Sequence, residues 1–232
     1  FRTRFKNLGD FFDSITFFID KLIYSFKPLK SRSNAIIVSV YKSPKFDKHN
    51  YLLSNKMLTL GIIGLGRIGI HVANRAKALG FKVIYFDPYV NNKSFKKIKN
   101  FKDFIKKTNI LSIHMHYKRK YFNMVNRNIM KLLKKPSYII NTSRGEFINE
   151  TDLINSLKKK IINGAGLDVI KDEFREEVRK NPKKNKLFNF FLKNTNYNIF
   201  ITPKQGGSNK NAWALTEKLI INKLIQYEKN KI

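Results

Sequence analysis

Hydrophobic positions along this chain switch repeatedly between two periods. Short, mostly apolar runs at Leu58–Ile63, Val83–Phe86, Ile110–Met115, Tyr138–Asn141, Ala165–Ile170 and Asn198–Thr202 have the length and β-branched content of buried strands. Between them the spacing turns helical. Ile68, Val72, Ala76 and Leu79 share one face and stop at Gly80. Phe101–Lys107 reads as a helix, and Asn126–Lys134 as another that ends ahead of Pro136. Asn149 is placed to cap a helix through Asp152, Leu153 and Leu157. A long helix from Asn209 to Lys229 carries Ala214, Leu219, Ile220, Leu224 and Ile225. Upstream, Phe11, Ile15, Phe18, Ile19, Leu22 and Phe26 recur at helical spacing within residues 1–28. Residues 27–57 follow as a connection, with a short helical or extended piece at Asn34–Tyr41. The Lys/Asn-rich stretches at 91–100 and 180–196 read as loops. Alternating strands and helices with apolar, β-branched strands predict an α/β fold, a doubly wound parallel sheet covered on both faces.

The first of these strands runs straight into Gly64-x-Gly66-x-x-Gly69, and the second ends at Asp87, 18 residues after Gly69. Strand, glycine turn, helix, strand and acid in this order form a dinucleotide-binding unit. Gly64 permits the tight turn, Gly66 lets backbone approach a pyrophosphate, and Gly69 allows close helix–strand packing. The helix start, at Arg67 and Ile68, offers unpaired N–H groups to phosphate. Asp87 is placed to accept hydrogen bonds from the adenine-side ribose. A carboxylate there repels a 2′-phosphate and selects NAD over NADP.

Composition narrows the alternatives. There are no cysteines, so disulfides and thiolate metal sites are excluded. The four histidines lack metal-ligand spacing. No apolar stretch approaches the length of a membrane span. The net charge of +31 invites a nucleic-acid reading. The lysines are nonetheless spread over almost the whole chain, and only Lys93–Lys107 and Arg179–Lys186 form local runs, which read as solvated helix faces or loops. Lys, Asn and Ile share AT-rich codons, so base composition accounts for the charge as well as selection for a polyanion does.

Several segments resemble the D-isomer-specific 2-hydroxyacid dehydrogenases, the family of D-lactate, glycerate and 3-phosphoglycerate dehydrogenases. They are Gly61-Ile-Ile-Gly-Leu-Gly-Arg-Ile-Gly69, Tyr85-Phe-Asp-Pro-Tyr89, Leu111-Ser-Ile-His-Met-His116, Ile139-Ile-Asn-Thr-Ser-Arg-Gly145, Gly164-Ala-Gly-Leu-Asp-Val169 with Glu173 beyond it, and Ile201-Thr-Pro-Lys-Gln-Gly-Gly207. His116 stands where the family usually has proline. The resemblance covers about residues 45–230. It implies a Rossmann domain inserted in a split substrate domain, with NAD as cofactor, a small 2-hydroxy or 2-keto acid as substrate, a homodimer and a cytoplasmic setting. Some 55 residues precede the first strand, about half the family's usual number, so most of the N-terminal substrate half is expected to be missing. The implied division is 1–45 as a substrate-domain remnant, 46–207 as the NAD-binding domain, and 208–232 as a helix returning toward the substrate domain.

By the same resemblance, Arg144 grips the substrate carboxylate, as a planar guanidinium does well. Glu173 is the acid that orients the catalytic base, and Asp168 accepts from the nicotinamide carboxamide. Thr142 and Ser143 face the nicotinamide half, and His114 lines the cofactor cleft rather than acting as a base. Lys204 is the departure, because the family's acid/base histidine falls there. An unperturbed lysine titrates near a pKa of about 10.4, against about 6.5 for histidine. A lysine suits proton donation to a developing alkoxide, and hence reduction of a keto acid, better than it suits oxidation. Two function classes therefore stand: an NAD-dependent oxidoreductase, and an NAD-binding pseudoenzyme or scaffold in which Lys204 only pairs with Glu173. A basic nucleic-acid-binding protein on the same fold is a third, disfavoured by Asp87 and the intact glycine turn.

Overall fold

Seven parallel strands build one sheet in the order β3-β2-β1-β4-β5-β6-β7. The computed structural model describes residues 58–194, 196–204, 206 and 210–229. The expected helix within 1–28 and the piece at 34–41 lie outside the described residues. β1 (Thr59–Ile63) is buried along its whole length and sits between β2 (Lys82–Phe86) and β4 (Ile110–Ile113). From β2 the chain adds β3 (Lys96–Lys97) on one side. It then returns to lay down β4, β5 (Tyr138–Asn141), β6 (Gly164–Leu167) and β7 (Ile199–Ile201) on the other. That reversal leaves a crevice beyond the carboxyl ends of β1 and β4, where ligands of open α/β sheets bind.

Strand side chains alternate between two apolar layers, as a parallel sheet covered on both faces requires. Leu60 and Ile62 meet Val72, Ala73 and Ala76 of α1 (Arg67–Ala78). Ile63, Leu111, Ile113 and Ile139 face the other layer. There they join buried residues of α2 (Phe101–Lys106), α3 (Arg127–Leu132), α4 (Glu150–Lys158) and α6 (Lys186–Lys193). The long closing helix, α7 (Lys210–Lys229), keeps Leu219, Ile220, Leu224 and Ile225 exposed.

Asparagine does much of the local punctuation. Asn100, Asn126, Asn149 and Asn185 each accept a backbone N–H in the first turn of α2, α3, α4 and α6. Such caps contribute about 1 kcal/mol each over alanine. α1 has no side-chain cap and begins directly at Gly66.

The sequence expectations need correction in four places. The stretch 91–100 is not all loop, because Lys96–Lys97 forms the edge strand β3 on β2. The stretch 180–196 is not loop either. α5 (Glu176–Lys180) ends in it, and α6 follows with Leu187, Phe190 and Phe191 buried. Those apolar residues were hidden by the surrounding lysines. β4 and β6 also stop short of the expected Met115 and Ile170. Their chains leave the ladder at His114 and Asp168 to form loops at the carboxyl edge.

Candidate functional site

The glycine turn is locked from both sides. Gly64 has φ +88, and a Cβ there would lie 2.8 Å from the His114 carbonyl oxygen. A Cβ on Gly69 would lie 2.1 Å from the Gly64 carbonyl oxygen, so the first turn of α1 rests directly on the loop. Gly66 differs, since nothing lies within 4 Å of the position its Cβ would take. Its missing side chain leaves open space, in front of a helix end whose first N–H groups no side chain satisfies.

Asp87 does more than mark the end of β2. One carboxylate oxygen accepts the Leu65 N–H at 2.9 Å, and the other accepts Tyr89 N–H at 2.8 Å and Val90 N–H at 3.0 Å. The side chain is buried and ties the glycine turn to the loop after β2. A carboxylate offers about four lone-pair directions, so three backbone donors leave room for about one more.

At the end of β4, the His114 N–H donates to the Ile63 carbonyl at 2.8 Å. Its Nε2 shares a 2.7 Å hydrogen bond with the Ser112 hydroxyl. Burial lowers its pKa from 6.5 to about 4. The ring is therefore neutral near pH 7, which fits a residue that lines the cleft and does not exchange protons there.

Past β5 the chain makes a tight turn around Asn141, a fully buried residue. Its Oδ1 accepts the Ser143 N–H at 3.0 Å and its amide donates to the Arg144 carbonyl at 2.7 Å. Ser143 also donates its hydroxyl to the Ile113 carbonyl at 2.9 Å, pinning the turn to β4. Thr142 is half-buried beside it. The Arg144 side chain is exposed and donates to the Ser143 carbonyl at 2.7 Å. Just after Arg144, a Cβ on Gly145 would lie 2.1 Å from the Ile170 carbonyl carbon. This contact presses the arginine turn against the segment that follows β6.

That segment is held from below by Glu150. Its carboxylate accepts the Lys171 N–H at 2.8 Å and the Asn185 amide at 2.9 Å. Burial raises its pKa, and the hydrogen bonds from Lys171 and Asn185 offset only part of that rise. Asp168, also buried, accepts the Thr202 hydroxyl and, at 2.9 Å, the Gly206 N–H. It thereby fixes the loop after β7, whose Lys204 N–H donates to the Asp168 carbonyl at 3.0 Å.

These ties bring Lys204 to Glu173. The ammonium donates to Glu173 Oε1 and lies 3.8 Å from the centroid of the Phe174 ring. Glu173 is only 14% exposed in its side chain, so it is a held partner and not a solvated acid. Asp172 and Lys204 both adopt left-handed backbone, with φ 59 and φ 50. Such backbone costs a non-glycine residue about 1–2 kcal/mol, and here it sits on both sides of the ion pair.

Residues 31–206 match the family described as D-isomer specific 2-hydroxyacid dehydrogenase, NAD binding domain. The chain belongs to this family. Glyoxylate reductase of Thermococcus litoralis is 32% identical over 180 residues, covering 75% of this chain and 50% of that protein. D-3-phosphoglycerate dehydrogenase of Methanocaldococcus jannaschii is 35% identical over 159 residues, covering 66% and 28%. A D-isomer specific 2-hydroxyacid dehydrogenase from Lactobacillus delbrueckii ssp. bulgaricus, solved in NAD-complexed form, gives a TM-score of 0.63 at 30% identity, covering 73% of this chain and 56% of that one. The chain thus spans about half of the glyoxylate reductase and less than a third of the phosphoglycerate dehydrogenase.

NAD is the cofactor of this domain family, and the turn fits it. The void beside Gly66 and the uncapped start of α1 form the cradle that a pyrophosphate needs. Sequence reasoning missed Asn141, Ser112, Glu150 and Asn185 as organisers of the site. The Asn-Thr-Ser turn spacing was a usable signal for Asn141. Glu150 sits in a helix first turn, where an exposed acid is ordinary, and only the tertiary fold shows it buried.

Proposed function

We propose that this chain is the cofactor-binding part of an NAD-dependent oxidoreductase that reduces a small 2-keto acid to the corresponding 2-hydroxy acid. The observation that carries the proposal is the Lys204–Glu173 pair, with Arg144 in the loop after the neighbouring strand β5. Arg144, Glu173 and Lys204 follow β5, β6 and β7, three adjacent strands, at the carboxyl edge of the sheet. Gly64, Gly66, Arg67, Ile68 and Gly69 would cradle the pyrophosphate, with Asp87 at the ribose. His114, Thr142, Ser143 and Asp168 would border the nicotinamide. Bound NADH supplies the hydride. Arg144 holds the substrate carboxylate through its guanidinium. Lys204 donates a proton from Nζ to the carbonyl oxygen as that oxygen gains charge, and Glu173 aims the ammonium. Residues 46–207 form the NAD-binding domain in this reading, with 1–45 and 208–232 on the substrate-domain side. A homodimer and a cytoplasmic setting complete it.

NADH consumption with a panel of 2-keto acids tests the proposal. Turnover that is lost in Arg144→Ala supports it, and turnover that survives Arg144→Ala sinks the assigned roles. NAD binding with turnover only in Lys204→His is the outcome expected of a cofactor-binding scaffold, whereas no turnover in either form points to a need for the rest of the substrate domain. The Lys204–Glu173 pair in the histidine's place also fits this second, scaffold reading, because a lysine held in that way can be purely structural.

A further inference from the structure

We propose that Phe174 is a positioning residue for the proton donor, its ring and the Glu173 carboxylate together forming a clamp on the Lys204 ammonium. The proposal rests on the keto-acid reduction proposed above. It supplies what a lysine in the histidine's place lacks, because a lysine charge rides on a flexible four-carbon stem. One hydrogen bond to a carboxylate fixes the distance of such a charge, but not its direction.

A closed turn builds one arm of the clamp. The Arg175 N–H donates to the Asp172 carbonyl at 2.9 Å, and Arg175 Nε pairs with Asp172 Oδ1 at 3.1 Å. Glu173 and Phe174 are the two central residues of that turn, so closing it fixes both together. The other arm is the loop after β7. There the Lys204 N–H donates to the Asp168 and Thr202 carbonyls, both at 3.0 Å, which fixes the base of the lysine stem. With both backbones held, side-chain contacts decide where the ammonium points.

The ring contact stands apart from the others in the chain. Phe174 is 67% exposed, the most exposed phenylalanine among the described residues, so burial does not explain its place. Phe86, Phe101 and Phe104, by contrast, pack ring on ring. The Lys204 Nζ lies 3.8 Å from the Phe174 centroid, whereas other lysine–ring approaches among the described residues lie at 4.9–5.6 Å. An aromatic face is the negative side of a quadrupole and attracts a cation, more strongly where water is partly excluded. The Lys204 and Glu173 side chains are 37% and 14% exposed, so the pair is partly shielded. Carboxylate and ring face then give the ammonium two fixed directions instead of one.

Two measurements test the clamp, one of them independent of turnover. In NMR spectra of protein labelled with 13C-lysine, the Lys204 Hε signal, assigned by its loss in Lys204→Met, should lie upfield of the other lysines through the ring current. Phe174→Leu, which keeps an apolar side chain but no ring, should return it to the ordinary position. In NADH oxidation with pyruvate or glyoxylate, Phe174→Leu should lower kcat about tenfold and leave KM within about twofold, since the donated proton matters only in the transition state. Phe174→Tyr keeps the ring and should rescue most of that loss, with NAD affinity as the control for folding. An ordinary Lys204 signal in the wild type, an undiminished kcat in Phe174→Leu, or equal losses in the Leu and Tyr variants overturns the proposal. Absence of turnover in the wild type, with the shifted signal present and lost in Phe174→Leu, supports the clamp and places the failure with the keto-acid reading.

Discussion

Lowering pH from 7.5 to 4.5 should destabilise this chain through His114 in a way that a single substitution removes. In the unfolded chain the imidazole titrates near 6.5, and in the fold its pKa is about 4. Above 6.5 the ring is neutral in both states and its full contribution is present. As pH falls below 6.5 the unfolded state gains a proton that the folded state refuses, so stability is lost until about pH 4. At 1.36 kcal/mol for each pH unit, the gap corresponds to about 3 kcal/mol. His114→Gln keeps a polar group near Ser112 but has nothing to titrate. Urea unfolding of both proteins at several pH values isolates the histidine, because their other ionisable groups are the same. The stability of the wild type relative to His114→Gln should fall by about 1.4 kcal/mol per pH unit below 6.5. A difference that stays constant to within about 0.5 kcal/mol from pH 7.5 to 4.5 would refute the reasoning and mean that the ring is solvated.

Other substitutions separate structural from binding roles. Gly66→Val should abolish NAD binding in fluorescence titration with little change in melting temperature, since its Cβ meets nothing within 4 Å. Gly69→Ala should instead lower stability by about 1–3 kcal/mol or more, because its Cβ lies 2.1 Å from the Gly64 carbonyl oxygen. Glu150→Ala strands the Lys171 N–H and the Asn185 amide, at about 1–3 kcal/mol for each donor that water does not reach. Hydrogen exchange should then quicken at Lys171 before it does in β1. Burial raises the Glu150 pKa, so its share of stability is full below about 4.5 and declines as pH rises through the higher folded value. Glu150→Gln should flatten that decline in the same urea measurement.

Order and spacing in the chain were enough to expect the central strands, the glycine turn and the parallel sheet. Leu58–Ile63 cannot be satisfied except by burial, and Gly64, Gly66 and Gly69 each have a distinct steric reason. The edge strand at Lys96–Lys97 was not legible, because two residues show no period and their pairing depends on β2. α6 was masked by composition. Its Leu187, Phe190 and Phe191 follow helical spacing, but flanking lysines and asparagines dominate any local average. At the site, the residues expected to touch ligand were identifiable from motifs, whereas those that hold them were not. Asn141, Glu150 and Asn185 act through partners up to 35 positions away in the chain, which no local pattern encodes.

Asp87 has a consequence for redesign. The same carboxylate expected to turn away a 2′-phosphate also receives three backbone donors, one of them from inside the glycine turn. Under the proposed reading, cofactor preference rests on the same side chain that shapes the loop. Replacing it by a small neutral residue to admit NADP would release Leu65, Tyr89 and Val90 together and loosen the cradle meant to hold either dinucleotide. A variant that accepts the phosphorylated cofactor tightly will need new acceptors for those three N–H groups, supplied from outside β2, before any arginine is added to greet the phosphate.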